Sequence, residues 1–337
     1  MSISSKIYRR VRSLVGKKEQ QKLTKLIFDL GLKPTIKPSD KLVYYPNSGS
    51  GGLVISADFE MAWAFRYSKR TKDYLGVAAR EREHLPLLIK LFEEFNIPIT
   101  WATVGHLFLE SCKKGDHDWM RRIPHFNDHW RFTRGDWFDH DPYTDYKKDS
   151  AWYAPDLIEL ILKSRVKHEM GCHSFSHIDC SYKNCPPEVL DDEIEACKMA
   201  ASKWGIKFKS MVFPGGTAGN YEVLAKHGFQ IYRKNTQYDL SIPYKDDLGL
   251  LVTTSSSSFG RLAGWSADYY VSRYKRIIDK AMKSGTIAHI WLHPSVDEWT
   301  LKNVIPAVLR YASDCRQEGK LWIGTMGDIP AQLFGES

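Results

Sequence analysis

The sequence of 337 residues has no apolar run near the roughly 20 residues needed to cross a bilayer. Its basic N-terminus is followed by neither an apolar segment nor a small-residue cleavage site, so the pattern of a secretory signal is missing. We therefore expect a cytoplasmic protein. The six cysteines are then expected to be free thiols, because that compartment is reducing.

Acidic residues are also missing from the start of the chain, where none precedes Glu19, and the whole chain has a net charge of +8. The cations of this stretch are Lys6, Arg9, Arg10, Arg12, Lys17 and Lys18. Apolar residues recur at helical spacing among them, namely Ile7, Val11, Leu14 and Val15. Residues 5–18 are thus either a helix lying on an anionic membrane or a helix belonging to the fold or a frayed terminus. Elsewhere bases and acids are interspersed, so nucleic acid is not an expected partner.

No glycine-rich phosphate loop follows the first predicted strand, which argues against an open nucleotide-binding sheet. Apolar runs instead alternate with helical patterns, which is typical of parallel β/α units. The strand candidates are 52–60, 97–105, 168–174, 210–216, 229–233, 249–256, 286–294 and 321–326. The sequence therefore predicts an α/β fold, a distorted β/α barrel of seven or eight parallel strands over residues 46–337. Residues 1–45 are expected to form a basic helical extension and a linker.

Residues with useful chemistry follow several of these strands. They are Asp58, Glu60, His173, His177, Gly215, Gly216 and His293. In a β/α barrel the carboxyl ends of the strands meet at one edge, which is where active sites form. One carboxylate with two neutral imidazoles makes a three-ligand site for zinc or a similar divalent ion, with the fourth position left for water.

The remaining groups suit a hydrolysis at that ion. A second carboxylate can accept a proton as water attacks a carbonyl, and a separate histidine can protonate a departing amine. Backbone N–H groups at Gly215 and Gly216 can face the oxyanion, because glycine permits close approach. We expect one divalent metal as the cofactor, and Zn²⁺ is the ion that the ligands favour.

The motifs and their order resemble those of the polysaccharide deacetylase family, whose members are metal-dependent amide hydrolases on a distorted β/α barrel. The resemblance covers roughly residues 50–330 and rests on "SADFE", "HSFSH", "FPGG" and "IWLHP". The family's His–Ser/Thr–x–x–His motif is matched by His173, Ser174 and His177. The stretch "DFEMAW" looks like the Asp–x–Glu version of the family's first motif.

The resemblance implies a role for each matched residue. Asp58 would be the general base and His293 the general acid, while Glu60, His173 and His177 would hold the metal. Adjacent carboxylates can exchange duties, so the reverse division between Asp58 and Glu60 stays open. On the last motif, Trp291 and Leu292 would flank the acid beside the substrate.

One position departs from the family pattern. The family carries an arginine two residues before the proline of its fourth-strand motif, where it orients the base, and this chain has Val212 there. Another cation must then hold Asp58, and Arg131, Arg134 and Arg233 are the available ones. The departure puts turnover in question more than metal binding.

Residues 113–153 are dense in aromatic residues, aspartate and histidine and show little periodicity. As an insertion between the second and third strands, they are either a substrate loop over the site or a self-packed surface loop. A calcium loop built on Asp136, Asp139 and Asp141 is disfavoured, because the glycine and the terminal glutamate of such loops are misplaced.

The function that these features favour is hydrolysis of an N-acetyl or N-formyl group on a nucleotide-linked or lipid-linked sugar, for surface polysaccharide assembly. Three alternatives stay open. They are a small-molecule amidohydrolase of the same superfamily acting on ureides such as allantoin, a metal-dependent sugar transferase, and a catalytically retired protein that only binds sugar or partner proteins. The missing family arginine gives the last alternative its weight.

Overall fold

A computed structural model describes residues 19, 51–67, 73–123, 136–235, 240, 242–261 and 264–334. Except for Glu19, the predicted extension of residues 1–45 lies outside these residues, and so does the basic stretch 5–18. Arg131 and Arg134 are also outside them.

Within the described residues, ten strands form one curled sheet. They are β1 (Gly51–Phe59), β2 (Thr100–Thr103), β3 (Glu169–Cys172), β4 (Ser210–Val212), β5 (Ile231–Lys234), β6 (Tyr244–Lys245), β7 (Leu251–Thr254), β8 (Ser257–Ser258), β9 (Ile287–Leu292) and β10 (Leu321–Gly324). Their order is β6-β7-β5-β4-β3-β2-β1-β9-β8, and β10 pairs with the first half of β1. Only the pairing of β6 with β7 is antiparallel among the strands described. The predicted α/β class and distorted β/α barrel are confirmed, and the eight strands longer than two residues are those that the sequence predicts.

Helices follow most of these strands. They are α1 (Ala62–Phe65), α2 (Tyr74–Glu94), α3 (Pro155–Leu162), α4 (Pro187–Ser202), α5 (Tyr221–Lys226), α6 (Ala267–Ser284), α7 (Glu298–Asn303), α8 (Ile305–Gln317) and α9 (Ile329–Phe334). Helices α7 and α8 are separated at Val304, and Pro306 lies in the first turn of α8, where its missing N–H costs nothing. Among the helices that the structure describes, none combines the length and the apolar character that a membrane crossing requires.

Strand β1 shows why the site lies where it does. All nine of its residues are buried, as expected for a parallel strand covered on both faces. Leu53, Ile55, Ala57 and Phe59 pack into the main core with the helices. The alternate positions form the inner face, which begins apolar at Val54 and then turns polar at Ser56, Asp58 and Glu60. Polar groups therefore collect at the carboxyl edge of the sheet.

The first residue of β1 tests this packing. A Cβ on Gly51 would lie 2.3 Å from the carbonyl carbon of Ala281 in α6, a backbone atom that cannot rotate away. We expect Gly51→Ala to lower the free energy of unfolding by about 1–3 kcal/mol through overpacking. Chemical denaturation measures it, with Gly260→Ala as the control, because a Cβ there meets no atom within 4 Å. Equal stabilities of the two variants would contradict the close contact.

Candidate active site

Glu60 lies just beyond the end of β1, between the two histidines that the sequence singles out. Its Oε1 atom is 2.9 Å from Nε2 of His173 and 3.2 Å from Nε2 of His177. All three side chains are buried, and their ligand atoms lie within 4.8 Å of one another. A tetrahedral ion with bonds of about 2.0–2.2 Å separates its ligand atoms by about 3.3–3.6 Å, so these atoms need little movement to bind one.

A hydrogen bond to Nδ1 of His173, on the side away from Glu60, fixes which ring nitrogen carries the proton. The Nδ1 atom lies 2.6 Å from the carbonyl oxygen of Val212, which can only accept, so Nδ1 carries the proton. In the neutral imidazole, Nε2 then faces a carboxylate oxygen with its lone pair, and these two acceptors repel each other unless a cation or a proton lies between them. This is the arrangement of a metal-ligating histidine oriented by its outer neighbour. The donor set therefore fits a divalent ion.

The loop that carries both histidines has a strained backbone. Ser174 and His177 have φ angles of 55° and 57°, in the left-handed region that residues other than glycine avoid. Glu193 of α4 holds the loop by accepting hydrogen bonds from the N–H groups of Phe175 and Ser176, both at 2.8 Å, and from the Ser176 hydroxyl at 2.6 Å. Sequence patterns do not single out Glu193, which reads there as one acid of a helical pattern.

Asp58 is held by Arg233, which resolves the departure from the family pattern. The two guanidinium nitrogens Nη1 and Nη2 donate to Oδ1 and Oδ2 at 2.7 and 2.6 Å, a bidentate pair with both side chains buried. Arg233 on β5 is the register partner of Val212 on β4. The cation is thus displaced by one strand from the position where the resemblance implies an arginine.

A polar layer inside the barrel supports this ion pair. Arg233 also donates from Nη1 to the Ser56 hydroxyl at 2.8 Å, and its guanidinium carbon lies 5.1 Å from the ring centre of Trp291. Ser56 in turn lies 2.8 Å from Nε2 of His289. Burial and the positive charge of Arg233 hold the pKa of His289 well below its usual value, so this imidazole is neutral. Alternation along β1 and β9 could have pointed to Ser56 and His289.

His293 is the more open group of the site. Its side chain is 33% exposed, and Nε2 lies 3.4 Å from Oε2 of Glu60. Partial burial acts to lower its pKa, but the carboxylates of Glu60, Asp58 and Glu81 raise it to about 9. For Glu60, burial acts to raise the pKa, but the charge of His293 and the neighbouring imidazole of His177 hold it well below its usual value. The site thus couples a carboxylate to a histidine that reaches solvent.

Glu81 of α2 is another buried acid next to the site, and sequence patterns do not reveal it. It accepts hydrogen bonds from the N–H of Met61 at 2.9 Å and the hydroxyl of Ser295 at 3.2 Å. It thereby links the segment after Glu60 to the segment after His293. Burial and the Glu60 carboxylate raise the pKa of Glu81 to about 8.

The glycines predicted to face the oxyanion lie in a short turn after β4. Gly215 and Gly216 have φ angles of 58° and 71°, which glycine adopts without strain. The N–H of Gly216 donates to the carbonyl oxygen of Phe213 at 3.1 Å, so it is committed to the turn. A role for Gly216 at the oxyanion would require that bond to break, whereas the role of Gly215 stays a prediction.

The two residues predicted to flank His293 lie on opposite faces of β9. The ring of Trp291 lies 5.2 Å from that of His293, inside the barrel. Leu292 is fully buried in the core with Ala288 and Ile290, on the face that the helices cover. Leu292 therefore lies on the face opposite to Trp291 and His293, because successive side chains of a strand point to opposite faces, and its contact with the substrate stays a prediction.

Most aromatic rings in the described parts of the insertion (residues 113–123 and 136–153) point inward. Trp137, Phe138, Trp152 and Tyr153 are at most 5% exposed and belong to the main core. They cannot stack on a sugar, so for these residues the self-packed alternative applies. Tyr143 and Tyr146 are only partly buried, and Trp119 has 49% of its surface exposed.

No protein-family model and no curated protein sequence matches the chain. Among solved structures, it is similar to a protein from Mycobacterium smegmatis described as a polysaccharide deacetylase, with a TM-score of 0.62 and 14% identity over 89% of this chain and 95% of that one. A protein from Pseudomonas aeruginosa PAO1 with the same description gives a TM-score of 0.58 and 15% identity over 89% and 98%. The PuuE allantoinase gives a TM-score of 0.59 and 13% identity over 89% and 96%. At these identities the likeness shows that the chain has the fold of the polysaccharide deacetylases.

Proposed function

We propose that the protein is a metal-dependent hydrolase that removes an acyl group from the nitrogen of an amino sugar. The observation that carries the proposal is the pairing of two groups at one sheet edge. Glu60, His173 and His177 form a three-ligand set, and Asp58 lies beside it with Arg233 on both of its oxygens. The chemistry of one carboxylate and two imidazoles suits Zn²⁺.

When bound by Glu60, His173 and His177, the ion would supply Lewis acidity to the amide carbonyl. The part of Asp58 is to accept a proton from the attacking water, and the bidentate arginine fixes the direction of the carboxylate for that transfer. His293 donates a proton to the departing amine, since it is the partly exposed acid on the open side of the site. Proton exchange with solvent then restores both groups.

The sugar is proposed to be nucleotide-linked or lipid-linked, and the acyl group acetyl or formyl. The basic stretch 5–18 favours the lipid-linked kind, used in surface polysaccharide assembly. The described aromatic rings do not argue for it, because most of them are internal.

Hydrolysis of a small ureide is the second candidate, since an allantoinase has the same fold. The fold therefore does not discriminate between a sugar amide and a ureide. The catalytically retired alternative loses its main support, because Arg233 replaces the arginine missing at position 212. A transferase that needs only the acidic pair would leave His173, His177 and His293 without a role.

The reaction is tested by amine release from N-acetyl and N-formyl nucleotide sugars and lipid-linked sugars, with allantoin included as a substrate. We expect His173→Ala to lose bound metal and activity together. Asp58→Asn should keep the metal and lose about 10²–10⁴-fold in kcat, since it removes only the base. Elemental analysis accompanies each assay. Loss of metal from Asp58→Asn instead would show that Asp58 and Glu60 have exchanged roles, and turnover of allantoin alone would favour the second candidate.

The displaced arginine allows a rescue experiment. Arg233→Val should lower kcat by about 10²-fold with the metal retained, because the base is no longer oriented. The double variant Val212→Arg/Arg233→Val places the arginine on the neighbouring strand in the same register and should recover part of the loss. Activity of Arg233→Val within a few-fold of the unmodified protein would show that the ion pair does not position the base.

Peripheral membrane contact through residues 5–18 is a further part of the proposal, although these residues are outside those described. Each cation near an anionic surface contributes about 1 kcal/mol, and salt screens this attraction. We expect sedimentation with acidic vesicles at low salt, and release at high salt or on removal of residues 1–18. Full-length protein left in the supernatant at low salt would favour a soluble nucleotide sugar.

A further inference from the structure

A second cluster of metal-ligating side chains lies apart from the candidate active site, where the insertion meets the rim of the barrel. Its members are His106, Cys112, His117 and Asp141, all buried and with ligand atoms within 4.8 Å of one another. His106 lies in the turn Gly105–Phe108 after β2, Cys112 directly precedes the insertion, and the other two belong to it. We propose that this cluster is a structural zinc site that fastens the insertion to the barrel.

The distances within the cluster match a tetrahedral site. The Oδ2 atom of Asp141 lies 3.1 Å from Nε2 of His106, 3.3 Å from Sγ of Cys112 and 3.6 Å from Nε2 of His117. Zinc bonds of about 2.0–2.3 Å place tetrahedral ligands about 3.3–3.7 Å apart. The three distances to Asp141 therefore differ from those of a bound ion by only a few tenths of an ångström, and the remaining pairs lie within 4.8 Å.

Neighbouring groups orient two of the ligands. The Nδ1 atom of His106 lies 3.2 Å from the carbonyl oxygen of Trp152, so it carries the proton and leaves the Nε2 lone pair facing Asp141. The other oxygen of Asp141, Oδ1, accepts from the N–H of Tyr143 at 3.0 Å and the hydroxyl of Tyr153 at 3.1 Å. Both arrangements are those that outer neighbours impose on metal ligands. In the neutral imidazole, this lone pair and the carboxylate oxygen 3.1 Å away repel each other, and a metal ion between them would remove that repulsion.

His117 provides the independent observation. Its Nε2 atom is buried and has no hydrogen-bond partner within the described residues, since Asp141 at 3.6 Å is too far to accept. The ring is fixed by stacking on Phe138, with ring centres 4.9 Å apart. A buried polar atom without a partner costs about 1–3 kcal/mol. A closed hydrogen-bond network around Asp141 would leave this cost in place, whereas a metal ion removes it.

The ligand types indicate which ion. A thiolate with two imidazoles and one carboxylate is a borderline-soft set that favours zinc over magnesium or calcium. Four protein ligands close the coordination sphere, which is typical of structural sites. A cavity of about 250 Å³, lined in part by Cys112, His117, Trp119 and Phe175, offers a route for the ion.

The ring of Phe175 lies between the cluster and the loop that carries His173 and His177. Phe175, between His173 and His177, has its ring centre 5.4 Å from that of His106 and 5.2 Å from that of His117. An ion in the cluster would thus hold the insertion against the loop that carries the two histidines. The inference does not rest on the proposed function, because it stands whichever reaction the protein catalyses.

Cobalt substitution in the full-length protein tests the site without an activity assay. A thiolate bound to Co²⁺ gives a charge-transfer band in the near ultraviolet, and the Glu60–His173–His177 set contains no sulfur. We expect the band in the unmodified protein and in His173→Ala, which loses only the other equivalent of cobalt. Cys112→Ser should lose the band and one equivalent of metal, while Cys315→Ser, a buried thiol on α8, should keep both.

If a variant fails to fold, the charge-transfer band of the unmodified protein alone tests the proposed site. Absence of the band after loading with Co²⁺ would overturn the proposal. A band that persists at full intensity in folded Cys112→Ser would also overturn it, because the sulfur ligand would then be another cysteine.

Discussion

The bidentate ion pair between Arg233 and Asp58 is the interaction around which the inner face of the barrel is arranged. Removing two charges from water costs several kcal/mol per ion, so such a pair is stable only with good geometry and further hydrogen bonds. Both oxygens of Asp58 are paired, Ser56 accepts another N–H of the arginine, and Trp291 covers the guanidinium. Val54, Ser56 and Asp58 are alternate residues of β1 and therefore face the same side of the sheet. Along that face the strand begins apolar and ends at the polar ion pair.

The sequence predicted the fold, and it singled out side chains that the fold brings close together, because both depend on local patterns. Strand ends are visible as apolar runs that stop at Asp58, His173 or His293, and parallel strands bring such ends to one edge. The partner of Asp58 could not be chosen, because it depends on which residue of β5 lies in register with Val212. The face that Leu292 occupies was not predicted for a related reason, since adjacency in a motif does not reveal which face of the strand a side chain occupies.

The insertion shows the limit of composition as a guide. A run of aromatic residues is compatible with a sugar-stacking surface and with a small core, and Trp137, Phe138 and Trp152 prove to be core. Distance along the sequence explains why the second cluster was not predicted. His106 and Asp141 are 35 residues apart and come together only when the insertion folds back on the turn after β2, so no motif spacing connects them.

The histidine loop is supported from two sides, and this links the site to the insertion. Its left-handed residues would relax if released, and Glu193 prevents this by holding the backbone N–H groups of Phe175 and Ser176. On the other side, the ring of Phe175 packs among His106, His117 and Phe138. A shift of the insertion would move Phe175 and with it the backbone that directs His173 and His177 at Glu60. The geometry of Glu60, His173 and His177 therefore depends on residues outside that cluster.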